Sequence, residues 1–278
     1  MDGNRTSQLQ QNIREFVTNL ATATEEAKSS APLLAYLKAA AQFHDYSLNN
    51  TLLIFMQMPD ATRVMGFHGW RKLGRFVKKG EHGIMILAPI ISKVKVDDDD
   101  DGDKVVTRFR AVYIFDISQT EGDDLPEAPI LTGAGCSDDL ILALTLFADA
   151  RGIIVKTEKL AGSAMGVSRG GSIVIDNSLN GADYFSVLVH EVAHELFNHR
   201  ARRDELDKKA REIEAESVAY VICEHFGVVC TAPAYLALHG ADAKDVTARL
   251  GSIVGTIQAI ITGIETNLTA INTNVVNN

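Results

Sequence analysis

His190-Glu191-Val192-Ala193-His194 is the segment of this 278-residue chain whose residue types and spacing most directly suggest chemistry. On a helix, residues four apart lie one turn apart on one face, so both imidazoles can reach a single ion. Imidazole nitrogen suits Zn2+ well, with Mn2+ the alternative, and a catalytic ion keeps one coordination position open for water. An ion held this way lowers the pKa of bound water toward ~7, and Glu191 beside it can act as general base. Asp183 is the expected N-cap of the helix, and Tyr184, Leu188, Val192 and Leu196 form its expected apolar ridge.

A third ligand has to come from elsewhere. His199 falls nearly opposite His190 on a straight helix, and the extended three-histidine pattern would need a histidine where Arg200 stands. His199 is therefore expected at the surface or at the helix end. In the next helical segment, 211–223, Glu212 and Glu216 lie one turn apart on a face of small residues, Ala215 and Ala219, while Glu214 points away with Val218 and Val221. Carboxylates on such a face need a partner, because unpaired buried charge is costly. Glu212 is assigned as the metal ligand and Glu216 as the acceptor for the free N–H of a ligand imidazole, with the swapped assignment its competitor. Upstream, Arg169–Asp176 could be an edge strand to which an extended peptide adds, or a plain hairpin strand. Tyr220, Tyr235 and His239 are candidate oxyanion stabilisers, and the sequence does not choose among them.

A second constellation lies between Arg63 and Lys95, where eight Lys or Arg stand against one acid, Glu81. Its dense part interleaves Trp70 and Phe76 with Arg71, Lys72, Arg75, Lys78 and Lys79. Cations that track phosphates and aromatic faces that stack bases are what single-stranded nucleic acid requires. The same residues also fit a buried helix face, since Phe67, Trp70, Leu73 and Phe76 recur at three. The chain's net charge of −9 would argue against nucleic acid, but Asp97–Asp101 with Asp103 supply six of those charges. From residue 129 onward the balance is −6, from 12 basic and 18 acidic residues.

The elements that must position these groups are legible in outline. Helices are expected over 8–43 with a break at 29–32, over 47–56, over 137–150 and from 183 to the end. Two β-rich segments around the aspartate run suggest an antiparallel pair joined by an acidic loop, and strands are expected at 153–157 and 172–176. The acidic, proline-marked stretch 121–129 reads as a linker. Cys136, Cys223 and Cys230 have no CxxC spacing, which fits a reducing cytosol, and the N-terminus has no apolar signal core. The apolar C-terminal pattern is interrupted by Thr256, Gln258 and Thr262, short of the roughly 18 residues a membrane span needs. Core packing, with no membrane partner, is the expectation.

Residues 46–89, with Tyr46-Ser47, Asn49-Asn50, Gln57, Ala61-Thr62, Gly66-Phe67 and Trp70 through Lys78-Lys79-Gly80-Glu81, closely resemble the N-terminal domain of ArdC-like antirestriction proteins of conjugative plasmids and related mobile elements. The likeness continues through Val112-Tyr113 and Phe115-Asp116. His190–His194, with the carboxylates Glu212 and Glu216, is similar to the zincin-like metallopeptidase domain that follows in that family and to the ImmA/IrrE metallopeptidases. The aspartate run and the C-terminal tail depart from the pattern. The resemblance implies an α+β chain of two domains, a single-stranded DNA-binding domain at 1–128 and a zincin-like metallopeptidase domain at 129–278. It implies a cytoplasmic zinc-dependent endopeptidase, with activity that could be latent, acting on a DNA-associated or regulatory protein. The competing expectation is an antirestriction protein that binds DNA without proteolysis and whose metal is structural or regulatory.

Overall fold

The computed structural model describes residues 2–27, 31–94, 104–125, 136–230 and 243–276. Asp97–Asp101, Tyr235, His239 and residues 126–129 of the expected linker lie outside them. Helices α1 (Asp2–Ala27) and α2 (Ala31–Gln42) flank the expected break. The chain divides into two compact units, Met1–Phe16 with Tyr46–Glu127, and Val17–Asp45 with Ala128–Asn278.

In the first unit α3 (Leu48–Gln57) packs on β3 (Ile84–Val94), which pairs antiparallel with β4 (Lys104–Asp116) along its whole length. This is the expected hairpin pair. β1 (Val64–Gly66) adds to the other edge of β4, giving the order β1-β4-β3. The free edge of β3 is closed by two side-chain amides: Asn50 exchanges hydrogen bonds with the backbone of Leu87, and Gln57 with that of Met85. Backbone groups on a strand edge would otherwise be open to another chain. A short helix α4 (Phe67–Lys72) leads through Gly74, at φ 71°, into β2 (Arg75–Val77), which pairs with β5 (Thr120–Gly122).

In the second unit α5 (Asp138–Asp149) precedes a sheet of order β6-β8-β7, formed by β6 (Ile154–Glu158), β7 (Gly166–Ser168) and β8 (Ser172–Asp176). β8 is central: it runs parallel to β6 and antiparallel to β7, and Ile173, Val174 and Ile175 are buried. The expected edge strand at 169–176 is therefore interior, and the actual edge is the three-residue β7, whose Gly-Val-Ser reads as turn. α6 (Gly181–Leu196) begins from Asn180 rather than Asp183, and buries Phe185, Leu188, Val189, Val192 and Ala193. It packs on α7 (Lys208–His225), and α8 (Ala243–Val276) packs on α5 and α7. Thr247–Thr273 is long and apolar enough to cross a membrane by length and composition, with mean hydropathy 1.2. Its stripe of Leu250, Ile253, Ile257, Ile260, Ile261 and Ile264 is nevertheless buried within the unit, as in a core helix.

The linear division expected at residue 128 differs from these units in one respect. Residues 17–45 group with the second unit, because α2 buries Leu33, Leu34, Tyr36 and Leu37 and packs on α7 and α8. An ionic tie reinforces this. Glu265 of α8 meets His44 Nε2 at 3.1 Å and His225 Nε2 at 3.5 Å, with Asp45 at 3.9 Å from His44. Hydrogen bonds from His225 and then His44 bring the Glu265 carboxyl down to about 2, and the bond to Glu265 raises His44. A lowered carboxylate stabilises above its ordinary pKa, a raised imidazole below its own. The tie is thus complete between about pH 4.5 and 6.5. It fades as pH falls toward 2 or rises through the raised value of His44. Glu265→Gln is expected to lower the urea midpoint most inside that window and least at pH 9; a difference that does not vary with pH would refute the tie.

Candidate functional site

α6 and α7 pack side by side, and that contact assembles the polar cluster. His190 and His194, one turn apart, bring their Nε2 atoms to 3.0 Å. Glu212, in the second turn of α7, places Oε2 3.4 Å from His190 Nε2 and 3.5 Å from His194 Nε2. One donor atom from each of the three lies within 4.8 Å of the others, and among the described residues this is the only cluster of its kind. The two imidazoles, His190 first, hold the Glu212 carboxyl far below the usual carboxylate range. Two imidazoles and a carboxylate converging on one point are a donor set that fits a divalent ion.

Glu191 is buried beside the trio, and burial pushes its carboxyl up against the lowering pull of His190 and His194. β7 passes directly over it. A Cβ on Gly166 would stand 2.8 Å from Glu191 Oε1 and 2.7 Å from Val187 Cγ1, so only glycine lets the edge strand approach this closely. Glu195 fixes that strand to the same helix, accepting hydrogen bonds from the Ser168 hydroxyl (2.6 Å) and from the backbone N–H of Gly170 (2.8 Å) and Gly171 (2.7 Å). Two clefts of about 980 and 450 Å³ open on either side of Gly166, His190 and Glu191.

The groups behind the trio differ from expectation. Glu216 is exposed and lines the larger cleft, with no hydrogen bond to either imidazole among the described residues. The supporting role falls to His199 and Glu214 instead. α6 ends at Leu196, Asn198 takes φ 53°, and the reversal returns His199 to a buried position behind His194, with 2.8 Å between their Nδ1 atoms. His199 Nε2 then meets Glu214 Oε2 at 3.0 Å, and Arg249 of α8 donates to Glu214 Oε1 at 2.7 and 3.0 Å. The tautomers are consistent throughout. If His194 presents Nε2 to an ion, its Nδ1–H donates to His199 Nδ1, and His199 Nε2–H donates to the carboxylate. Burial lowers the His199 pKa, which favours its neutral form. Burial would raise Glu214, but the bonds from His199 and Arg249 outweigh it and hold the carboxyl low. The sequence carried a signal for this arrangement, an internal carboxylate among Ile213, Ala215 and Val218, but not the partner that His199 becomes. Tyr220 lines the larger cleft.

In the first unit Trp70 is fully buried and donates its indole N–H to the Phe115 carbonyl at 2.8 Å, so it cannot stack a base. Nor do the residues at three-residue spacing form one buried face, because α4 stops at Lys72 and leaves Phe67, Leu73 and Phe76 more than 40% exposed. Arg75 is held to Thr120 and to the Asp123 carbonyl, and Lys78 to the Ser118 carbonyl, while Arg71, Lys72 and Lys79 are exposed. Exposed aromatics also stand on β4, where Phe109 and Tyr113 share one face with Arg108 and Arg110 alternating beside Phe109. The run Arg108-Phe109-Arg110-Ala111-Val112-Tyr113 offered that pattern in the sequence.

Fold and site together define an α+β protein of two units, the second bearing a candidate two-histidine, one-glutamate metal centre on consecutive helices. Residues 4–116 match the family model described as the N-terminal domain of anti-restriction factor ArdC. The fold is that of antirestriction ArdC from plasmid R388: a Mn(II)-bound structure superposes with TM-score 0.53 over 92% of this chain and 97% of that one, and a metal-free structure with TM-score 0.50 over 81% and 86%, both at 17% identity. Residues 4–116 thus carry an ArdC-type N-terminal domain, within a chain whose fold is shared with ArdC. An uncharacterised protein of Bacillus anthracis is 24% identical over 264 residues, covering 80% of this chain and 45% of that protein, so the chain spans less than half the length of that relative.

His199→Ala is expected to weaken divalent metal binding about 10–100-fold, the range for an outer partner of a ligand imidazole. Calorimetric titration against Zn2+ and Mn2+ reads this, with far-UV circular dichroism as the control for folding. Wild-type affinity in the variant would show that His199 is packing alone.

Proposed function

We propose that this ArdC-like chain is a metal-dependent peptidase carried on a single-stranded DNA-binding unit, and that it works in antirestriction. The observation that carries the reading is the convergence of His190, His194 and Glu212 beside the buried carboxyl of Glu191, under an edge strand that a peptide can join. The metal ligands are assigned as those three residues, and the ion as Zn2+ or Mn2+; the donor set accepts either, and the Mn(II) form of the R388 protein supports the second. When bound, the ion supplies Lewis acidity, polarising a carbonyl and making water ionisable near neutral pH. Glu191 accepts the proton of the attacking water on its carboxylate and delivers it to the leaving amine, a role suited to a carboxyl raised by burial. β7 aligns the substrate backbone, and Glu195 holds β7 in place.

For DNA we assign stacking to Phe67, Phe76, Phe109 and Tyr113 and phosphate contact to Arg71, Lys72 and Lys79, in place of Trp70. With free cysteines throughout, the cytoplasm is the fitting compartment.

Glu191→Gln should retain metal and lose cleavage of a casein or peptide-library substrate by about 10²–10⁴-fold. If the variant cleaves as wild type does, the peptidase mechanism is wrong. If the variant still protects a plasmid from restriction while Arg71, Lys72 and Lys79 variants do not, the non-proteolytic alternative holds. Tyr113→Ala should cost roughly tenfold or more in affinity for an oligothymidylate, the loss of one stacked base. Unchanged anisotropy titrations would remove β4 from the interface.

A further inference from the structure

The two clefts that meet at the trio differ in charge. The larger carries Met165, Leu179 and Val187 with the carboxylates Asp183 and Glu216, and no Lys or Arg. The smaller, on the side of His194 and Glu212, is lined by Arg200, Arg203, Lys208 and Arg211. These four cations gather in a half of the chain whose overall balance is −6, from 12 basic and 18 acidic residues. The carboxylates at hand are engaged elsewhere: Glu212 by the two imidazoles, Glu195 by the turn after β7, and Asp207 by the Ala210 N–H it caps. Arg200 donates to the Arg169 carbonyl, which leaves most of its fork unused. Arg211 Nη1 is, among the described residues, the one buried side-chain nitrogen or oxygen with no hydrogen-bond partner. A buried cationic donor without an acceptor is unfavourable, and a carboxylate arriving in the cleft would satisfy it with a charge-assisted bond.

We propose that this cleft is a subsite for acidic side chains, so that the scissile bond lies between an apolar segment in the larger cleft and an acidic segment in the smaller one. The proposal deepens the peptidase reading and rests on it. Nucleic-acid phosphate would meet the same cations, but no Phe, Tyr or Trp lines this cleft to receive bases. Val167 and Ser168 of the edge strand do line it, offering backbone pairing to a peptide.

The test separates binding from cleavage. Fluorescein-labelled decapeptides, apolar in one half and carrying either three Glu or three Gln in the other, are titrated into the full-length Glu191→Gln chain with Zn2+ or Mn2+ present. The acidic peptide should bind about tenfold or more tightly than its Gln counterpart. That preference should vanish when Arg203→Glu and Lys208→Glu are added. Equal affinities, or a preference that survives the double change, overturn the subsite. Displacement of the acidic peptide by hexathymidylate, lost in the same double variant, assigns the cleft to nucleic acid and also overturns it. Mass spectrometry of the same peptides with the wild-type chain tests the underlying reading independently. Absence of cleavage with the binding preference intact defeats the peptidase reading and leaves an anionic-peptide site standing, whereas cleavage without preference defeats the subsite alone.

Discussion

The packing of α7 on α6 is the constraint on which the second unit depends. Glu212 and Glu214 stand two residues apart and so leave α7 on opposite sides, yet both are tied to His194. Glu212 reaches the imidazole's Nε2, and Glu214 reaches its far nitrogen through His199. The imidazoles pair both carboxylates, Glu214 with further help from Arg249, and the carboxylates in turn fix the imidazole orientations. Arg249 extends the tie into α8, so three helices share one polar network. Such a network is favourable only when every member is satisfied, and Ala215, Ser217 and Val218 are fully buried beside it.

The same helix that carries the histidines also holds the β7 edge of the sheet. Glu195 follows His194 directly and grips the turn after β7, while Gly166 permits β7 to lie on Glu191. The placement of Glu191, of β7 and of His190 and His194 in the cluster with Glu212 is therefore set by one helix. Charge is arranged at the same scale. A chain of net charge −9 presents four cations on one side of the trio and two carboxylates on the other.

In the first unit the hydrophobic effect, not recognition, claims the residue that looked most functional. Trp70 is the largest side chain of its segment, and burying it with its N–H on the Phe115 carbonyl stabilises α4 against β4. The aromatics left to solvent are those that packing could not use: Phe67 and Phe76 on either side of a helix that ends early, and Phe109 and Tyr113 on an open strand face.

Local spacing was enough to determine much of this protein. The helical repeat of His190, Glu191 and His194, the shared face of Glu212 and Glu216, the β3–β4 pair and the amphipathic stripe of α8 all follow from periods of 3.6 or 2 within one element. What required the tertiary structure were the relations between elements. Glu216 faces the larger cleft and not the imidazoles, and His199 reaches His194 because a left-handed residue at Asn198 reverses the chain. β7 is strand only because β8 pairs with it, and residues 17–45 join the second unit only because α2 finds α7 and α8. Sequence periodicity tells which face of an element is apolar; which partner that face meets is decided by close packing among elements distant in the chain.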